Sequence, residues 1–339
     1  MSDAPIRIAV VLAGAVAKGA FEAGALHELA RRNVQIVRIV AASAGALNGA
    51  MLASAVRTRS IAASTDRLVE LWRDRAGWTD VFHASFHAVT TRQGLSDRTR
   101  VLELLRREIK PSPHGDDVAL RLLVAPLLGT TGVIGDHPAT TYEAMLEFFG
   151  VDFATQPALD RLFDAATASS AFPLVFAPVD LGALGLCVDG GAVNNTPVKW
   201  ALDGTEDERI DAIVIVATSA ELRTTPPAEL HGVGLVSHLA DMLIGERLYR
   251  DLHEAETINA RLAALTALVD TGVITPAQHD QILTAIGWQG WRRVKLIQIR
   301  PLEELPGSSF SGFFDEQLRE QYVAAGLARA RAVLDATRW

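Results

Sequence analysis

Ser43 sits in Ala41-Ala42-Ser43-Ala44-Gly45, between the strand-like run Gln35-Ile36-Val37-Arg38-Ile39-Val40 and an Ala/Leu-rich stretch. A tight strand-to-helix turn of this form lifts a serine hydroxyl clear of the backbone, where it can attack an acyl carbon. The usual form is Gly-x-Ser-x-Gly. Here Ala41 replaces the first glycine, adding one methyl group, and Gly45 keeps the second. Small residues at those two positions avoid a clash within the turn. A helix opening at Ala44 aims its first N–H groups at developing negative charge. The same pentapeptide also reads as an ordinary helix start, because serine is a favoured N-cap.

A nucleophilic serine needs a base and donors for an oxyanion, and two further patterns offer them. Gly14-Ala15-Val16-Ala17-Lys18-Gly19 follows an apolar run and opens a helical pattern. Backbone N–H groups at such a junction can bind an anion. The order of Lys18 and Gly19 excludes a Walker A loop, and the segment lacks Gly-x-Gly-x-x-Gly. Its plain structural reading is a tight connection with Lys18 solvated. Farther on, Val188-Asp189-Gly190-Gly191 ends an apolar run in a carboxylate followed by two glycines that permit a sharp turn. Asp189 then falls at a strand end, where sites in open α/β sheets collect. An Asp-Gly turn without chemistry reads equally well. The nine histidines fall in no recognisable motif, and no His/Asp/Glu set has metal-ligand spacing.

The elements that must position these residues alternate. Strand-like runs at 6–12, 34–42, 120–125, 184–188, 210–217 and 294–299 are interleaved with helical patterns, including 20–31 and 44–56. This predicts an α/β fold with a mostly parallel central sheet and helices on both faces. Residues 57–119 read as mostly helical, with Val101, Leu104, Leu105 and Ile109 on one face of 97–109. Leu235, Leu239, Met242 and Leu243 mark another amphipathic helix, and Ile258, Leu262, Leu265 and Leu268 a third. Thr275-Pro276-Ala277-Gln278 has the form of a capped helix start. Residues 1–339 are expected to form one domain, with about 232–290 a helical insertion or lid within it.

Together the serine turn, the upstream loop and the Asp-Gly-Gly turn resemble the patatin-like phospholipase family. Ala168-Ser169-Ser170-Ala171-Phe172-Pro173 is similar to the segment preceding that family's aspartate, and 299–301 with the helix 316–334 to its C-terminal portion. The resemblance implies a three-layer α/β fold and a serine-dependent lipid acyl hydrolase of the phospholipase A or esterase type, without cofactor or metal. It assigns Ser43 as nucleophile and Asp189 as its partner in a Ser-Asp dyad that needs no histidine. Gly14, Ala15 and Val16 become the oxyanion loop. Lys18, Gly45 and Gly190 are supporting positions. Where the family has three glycines this chain has Gly14-Ala15-Val16, and a β-branched residue is strained at positive φ. Three outcomes therefore stand: an active hydrolase, a catalytically weakened relative that binds acyl chains or a protein, and an acyltransferase.

The remaining bulk properties narrow the partners. The 339 residues are 49% hydrophobic, with a formal charge of -8 and no basic stripe, which argues against nucleic acid. The single cysteine, Cys187, excludes an intramolecular disulfide. No apolar run reaches the roughly 18 residues of a membrane span. Residues 8–16 could pass for a signal-peptide core, but Lys18 soon interrupts them, and a first core strand is the better reading. A lipid or ester substrate, worked on in the cytoplasm or peripherally at a membrane, is the expectation; secretion and oligomeric state stay open. Phe172, Phe176, Phe310, Phe313 and Phe314 could line an acyl groove or meet an interface, with core packing the commoner role for such residues.

Overall fold

The computed structural model describes residues 5–84, 96–134, 136–173, 175–202, 210–221 and 232–339. The chain opens with β1 (Ile6–Leu12), α1 (Gly19–Leu29), β2 (Val34–Ala41), α2 (Ala44–Arg57), α3 (Ile61–Asp74) and the one-turn α4 (Trp78–Val81). Next come β3 (His83–Ala84), β4 (Ser96–Asp97), α5 (Thr99–Glu108), β5 (Ala119–Pro126), a ribbon of β6 (Thr130–Ile134) and β7 (His137–Thr141), and β8 (Ala144–Phe148). The remainder holds α6 (Gln156–Ser169), β9 (Val179–Asp180), β10 (Leu186–Asp189), α7 (Lys199–Leu202) and β11 (Ala212–Val216). It closes with α8 (Gly232–Asp270), α9 (Pro276–Ala285), β12 (Lys295–Ile299) and α10 (Glu316–Ala336).

Side-chain alternation builds the layers. Along β1, Ile8, Val10 and Leu12 enter one core while Ala9 and Val11 enter a second. On β11, Val214 and Val216 go to the first and Ile213 and Ile215 to the second. The central strands are therefore apolar on both faces, as the continuous hydrophobic runs imply. Helices α1, α2, α3 and α10 cover the first face; Leu248 and Leu252 of α8 pack into the second. The sheet runs β12-β11-β1-β2-β5-β10-β9, with β8 also paired to β5. From β12 to β5 the neighbours are parallel, and β8, β10 and β9 add antiparallel pairs. The fold is the mostly parallel α/β sheet expected from the sequence.

The local differences have backbone causes. The strand expected from Leu184 begins at Leu186, because Gly185, at φ 65°, closes a short 3-10 turn before it. The cap on α9 forms as the sequence implies: Thr275 Oγ1 accepts the Gln278 N–H at 3.2 Å, and Gln278 Oε1 accepts the Thr275 N–H at 2.8 Å. Of the α8 side chains named from the sequence, Leu235, Leu239 and Leu243 lie outside the described side chains, and Met242 is exposed.

One register brings distant parts of the chain together. β2 pairs with β5 as far as Ala41↔Leu122. β10 runs the other way along β5, and its pairing with β5 ends at Asp189↔Val124. β8 occupies the opposite edge of β5 over Leu120 to Val124, so β2 and β10 share the remaining edge and meet end to end. The residues just past the end of β2 are thereby set against the last residue of β10.

Candidate active site

Ser43 follows β2 at φ 54° and ψ -131°, a region that L side chains rarely occupy. Such a backbone costs on the order of 1–3 kcal/mol and persists only where its surroundings hold it. Its side chain makes no capping bond to α2. Instead Ser43 Oγ donates to Asp189 Oδ2 at 2.6 Å, across 146 residues of sequence. The N-cap reading of Ser43 thus fails, and the two residues singled out from the sequence are in direct contact.

The surroundings hold this turn from three sides. The Ser43 N–H donates to Ser169 Oγ at 3.1 Å, and Ser169 Oγ donates onward to the Leu123 carbonyl at 2.6 Å. A Cβ on Gly45 would stand 2.7 Å from the carbonyl oxygens of both Leu12 and Ala13. Gly45 is therefore required by the end of β1 packing against it. Asp189 is fixed through its backbone N–H, which donates to the Ala171 carbonyl at 3.0 Å, and through Oδ1, which accepts the Gly191 N–H at 2.7 Å. Gly190 lies where a Cβ would sit 2.1 Å from the Leu123 carbonyl oxygen.

Asp189 is buried, and burial pushes its carboxyl up to about 7, against the pull of the Ser43 hydroxyl and the Gly191 amide. A carboxyl poised near neutrality suits a general base far better than one with an ordinary value near ~3.9. Among the described residues no histidine lines the pocket at this site.

The upstream loop departs from expectation at Gly14. Its N–H donates to the Asn195 carbonyl at 2.9 Å, and its carbonyl accepts from Asn195 Nδ2 at 2.8 Å. The Gly14 amide is thus committed to Asn195, a correction to its expected place as an oxyanion donor. The amides of Ala15 and Val16 make no hydrogen bond among the described residues. Val16 sits at φ 50°, the strained conformation the sequence warns of, while its side chain packs beside Ala17, Phe82 and Phe313. That packing offsets part of the strain. The Lys18 N–H closes the turn onto the Ala15 carbonyl at 2.9 Å, and Lys18 is half-buried, not freely solvated.

Beside the loop lies a polar network that no motif in the sequence marks. Glu22 is fully buried and accepts from Asn48 Nδ2 at 2.8 Å. Burial pushes its carboxyl well above the ordinary range, against the pull of Asn48 and the Ala13 amide. Asn48 Nδ2 also donates to the Gly19 carbonyl at 3.2 Å, and Asn48 Oδ1 accepts from Trp72 Nε1 at 2.8 Å. Asn48 thus ties Glu22 to the Gly19 end of the loop.

A narrow pocket of about 100 Å³ leads to Ser43 and Asp189. Leu47 and Met51 of α2, Leu68 and Leu71 of α3, and Leu104 and Leu105 of α5 make its walls apolar. Phe172, Phe176, Phe310 and Phe313 complete it, whereas Phe314 is exposed.

A family model described as patatin-like phospholipase matches residues 10–202, which contain the serine, the loop and the aspartate. The chain belongs to the patatin-like phospholipase family. Membership places it among lipid hydrolases, proteins that act on lipid substrates. Among solved structures, this patatin-like chain is similar to VipD from Legionella pneumophila, at 11% identity and TM-score 0.43, over 98% of this chain and 67% of that one. It is also similar to the heterodimeric ExoU–SpcU complex of the Pseudomonas aeruginosa type III secretion system, at 18% identity and TM-score 0.30, over 98% and 72% of the two chains. At these TM-scores the likeness is too loose to fix function. No curated protein matches the chain in sequence. No helix among the described residues is long and apolar enough to cross a membrane.

Proposed function

We propose that this patatin-like protein hydrolyses carboxylic esters of lipids, with Ser43 as nucleophile and Asp189 as general base. The observation that carries the reading is the 2.6 Å contact between the Ser43 hydroxyl and a buried carboxyl whose affinity for protons is raised to about 7. As Ser43 Oγ attacks the acyl carbon, its proton passes to Asp189 Oδ2. The carbonyl oxygen becomes an oxyanion, held by the amides of Ala15 and Val16. Collapse expels the alcohol, which takes the proton from Asp189. Water then attacks the acyl-serine, gives its proton to Asp189, and the fatty acid leaves as that proton returns to Ser43. The acyl chain lies in the apolar pocket. The positive φ of Val16 supports an active enzyme over a weakened binding protein, because the loop keeps its turn despite the β-branched residue. We read the chain as one domain and the α8–α9 hairpin as an insertion that buttresses the sheet. Leu248 and Leu252 pack into the second core, and no pocket-lining residue comes from the hairpin among those described.

A fluorophosphonate probe tests this directly. It is expected to label the wild type at Ser43, and Ser43→Ala and Asp189→Asn are expected to abolish turnover of a short-chain ester. Full ester turnover by either variant, or labelling at another serine, overturns the assignment.

A further inference from the structure

The hydrolysis step leaves unused a line of aromatic rings running outward from the pocket. Phe314 is 68% exposed and Trp78 is 39% exposed, with ring centroids 4.8 Å apart and planes 20° from parallel. Trp78 stacks on Phe82 at 4.0 Å, and Phe82 on Phe176 at 5.3 Å. Phe82 and Phe176 line the pocket that ends at Ser43. The rings thus form one apolar path from solvent to the nucleophile. Large rings held in water forgo the free energy of burial, and side chains with an apolar body and a polar edge, such as Trp, settle at membrane–water interfaces.

Charge selects the surface they fit. Around the rim the charges are mixed, with Asp80 and Asp315 each bonded to helix N-terminal amides and the exposed Arg75 lining the pocket, while the chain as a whole carries a formal charge of -8. An anionic membrane would be repelled, whereas a zwitterionic one would not. We propose that Trp78 and Phe314 form a docking rim that seats the pocket mouth on a zwitterionic phospholipid bilayer, so that an acyl chain passes from membrane to pocket along the ring path. This rests on the lipid-hydrolase reading but is tested apart from it.

The test uses the full chain carrying Ser43→Ala, so that vesicles stay intact, and sedimentation with vesicles of phosphatidylcholine alone or mixed with phosphatidylserine. Binding to phosphatidylcholine is expected to persist at about 1 M salt, where the screening length is ~3 Å. Phosphatidylserine is expected to weaken it. Phe314→Ser and Trp78→Ser are each expected to lower partitioning roughly tenfold. Because Trp78 leans on buried Phe82, Phe314→Ser is the decisive variant: its ring is the more exposed. Introduced into the active chain, Phe314→Ser is expected to leave hydrolysis of a water-soluble ester unchanged. Absence of vesicle binding, equal partitioning of Phe314→Ser, or binding that needs phosphatidylserine and vanishes in salt overturns the docking rim. So does a dimer that Phe314→Ser dissociates. Failure to hydrolyse the soluble ester would instead strike the hydrolase reading and leave the vesicle result standing.

Discussion

Asp189→Asn is expected to destroy activity and yet stabilise the protein at alkaline pH. The Asp189 carboxyl is displaced from an ordinary 3.8 to about 7 by burial. Between those values the native chain holds a proton that the unfolded chain has released, so stability falls as pH rises through the window, by up to ~1.4 kcal/mol per pH unit. The contribution is fully present below the unfolded value and lost once pH passes about 7. Above the window the native state carries an ionised buried carboxylate at a cost of about 4 kcal/mol. Asparagine keeps the shape and an acceptor for the Gly191 N–H but never ionises. Urea unfolding of wild type and Asp189→Asn should therefore give similar stabilities near pH ~4, and at pH ~8 an advantage to the variant of roughly 2–4 kcal/mol once an imperfect hydrogen bond to Ser43 is allowed for. The same carboxyl governs rate. Since Asp189 must be ionised to take the serine proton, kcat/KM on a soluble ester should fall about tenfold per pH unit below an inflection near ~7 and level off above it. Parallel stability curves for the two proteins, or a rate inflection near ~4, would show that burial does not hold Asp189 in this state, whereas a rate with no carboxyl inflection between pH ~3 and ~9 would refute the base assignment.

Three other substitutions probe the supports. Val16→Gly should stay active and change stability by no more than about 1 kcal/mol, because relief of the positive φ offsets the lost packing and the added freedom of the unfolded chain; loss of turnover would mean that the valine side chain itself shapes the site. Ser169→Ala removes the acceptor of the Ser43 N–H and the hydroxyl donor to the Leu123 carbonyl, so it should cost about 1–3 kcal/mol in urea unfolding and slow fluorophosphonate labelling of Ser43. Glu22→Gln should be close to neutral in melting and in ester turnover, since burial favours the uncharged form of this carboxyl, whereas Glu22→Leu should cost about 1–3 kcal/mol by removing the acceptor of one Asn48 Nδ2 bond and leaving only those to Gly19 and Trp72; equal losses in both variants would show that Glu22 is ionised.

What could be read before folding divides along the range of the interactions. The strand at 6–12 announces itself because Ile8 to Leu12 are continuously apolar and buried on both faces, and that at 34–41 because Ile36, Ile39, Val40 and Ala41 are apolar and buried around the single charge of Arg38. Ser43, Asp189 and the loop at 14–19 are legible because a tight turn restricts residue type locally, and small residues betray it. The ribbon of β6 and β7 carries no comparable mark: Val133 and Ile134 are exposed, and Thr130, Thr131, Thr140 and Thr141 give no alternation against a core. β8 is equally silent, since only Phe148 of its five residues is buried. The roles of the polar supports were hidden for a different reason, even for Ser169, which falls in the 168–173 segment matched from the sequence. Ser169 matters because its hydroxyl reaches an amide 126 positions away, Asn195 because it clamps a glycine 181 positions away, and Glu22 because Asn48 faces it from the next helix. Nothing in the types of Ser, Asn or Glu separates such residues from ordinary surface ones; only the register that ends β2 and β10 against each other on β5 gives them their partners. A nucleophile's identity is thus a local property, whereas the strain it endures is held by residues that become specific only once the sheet has formed.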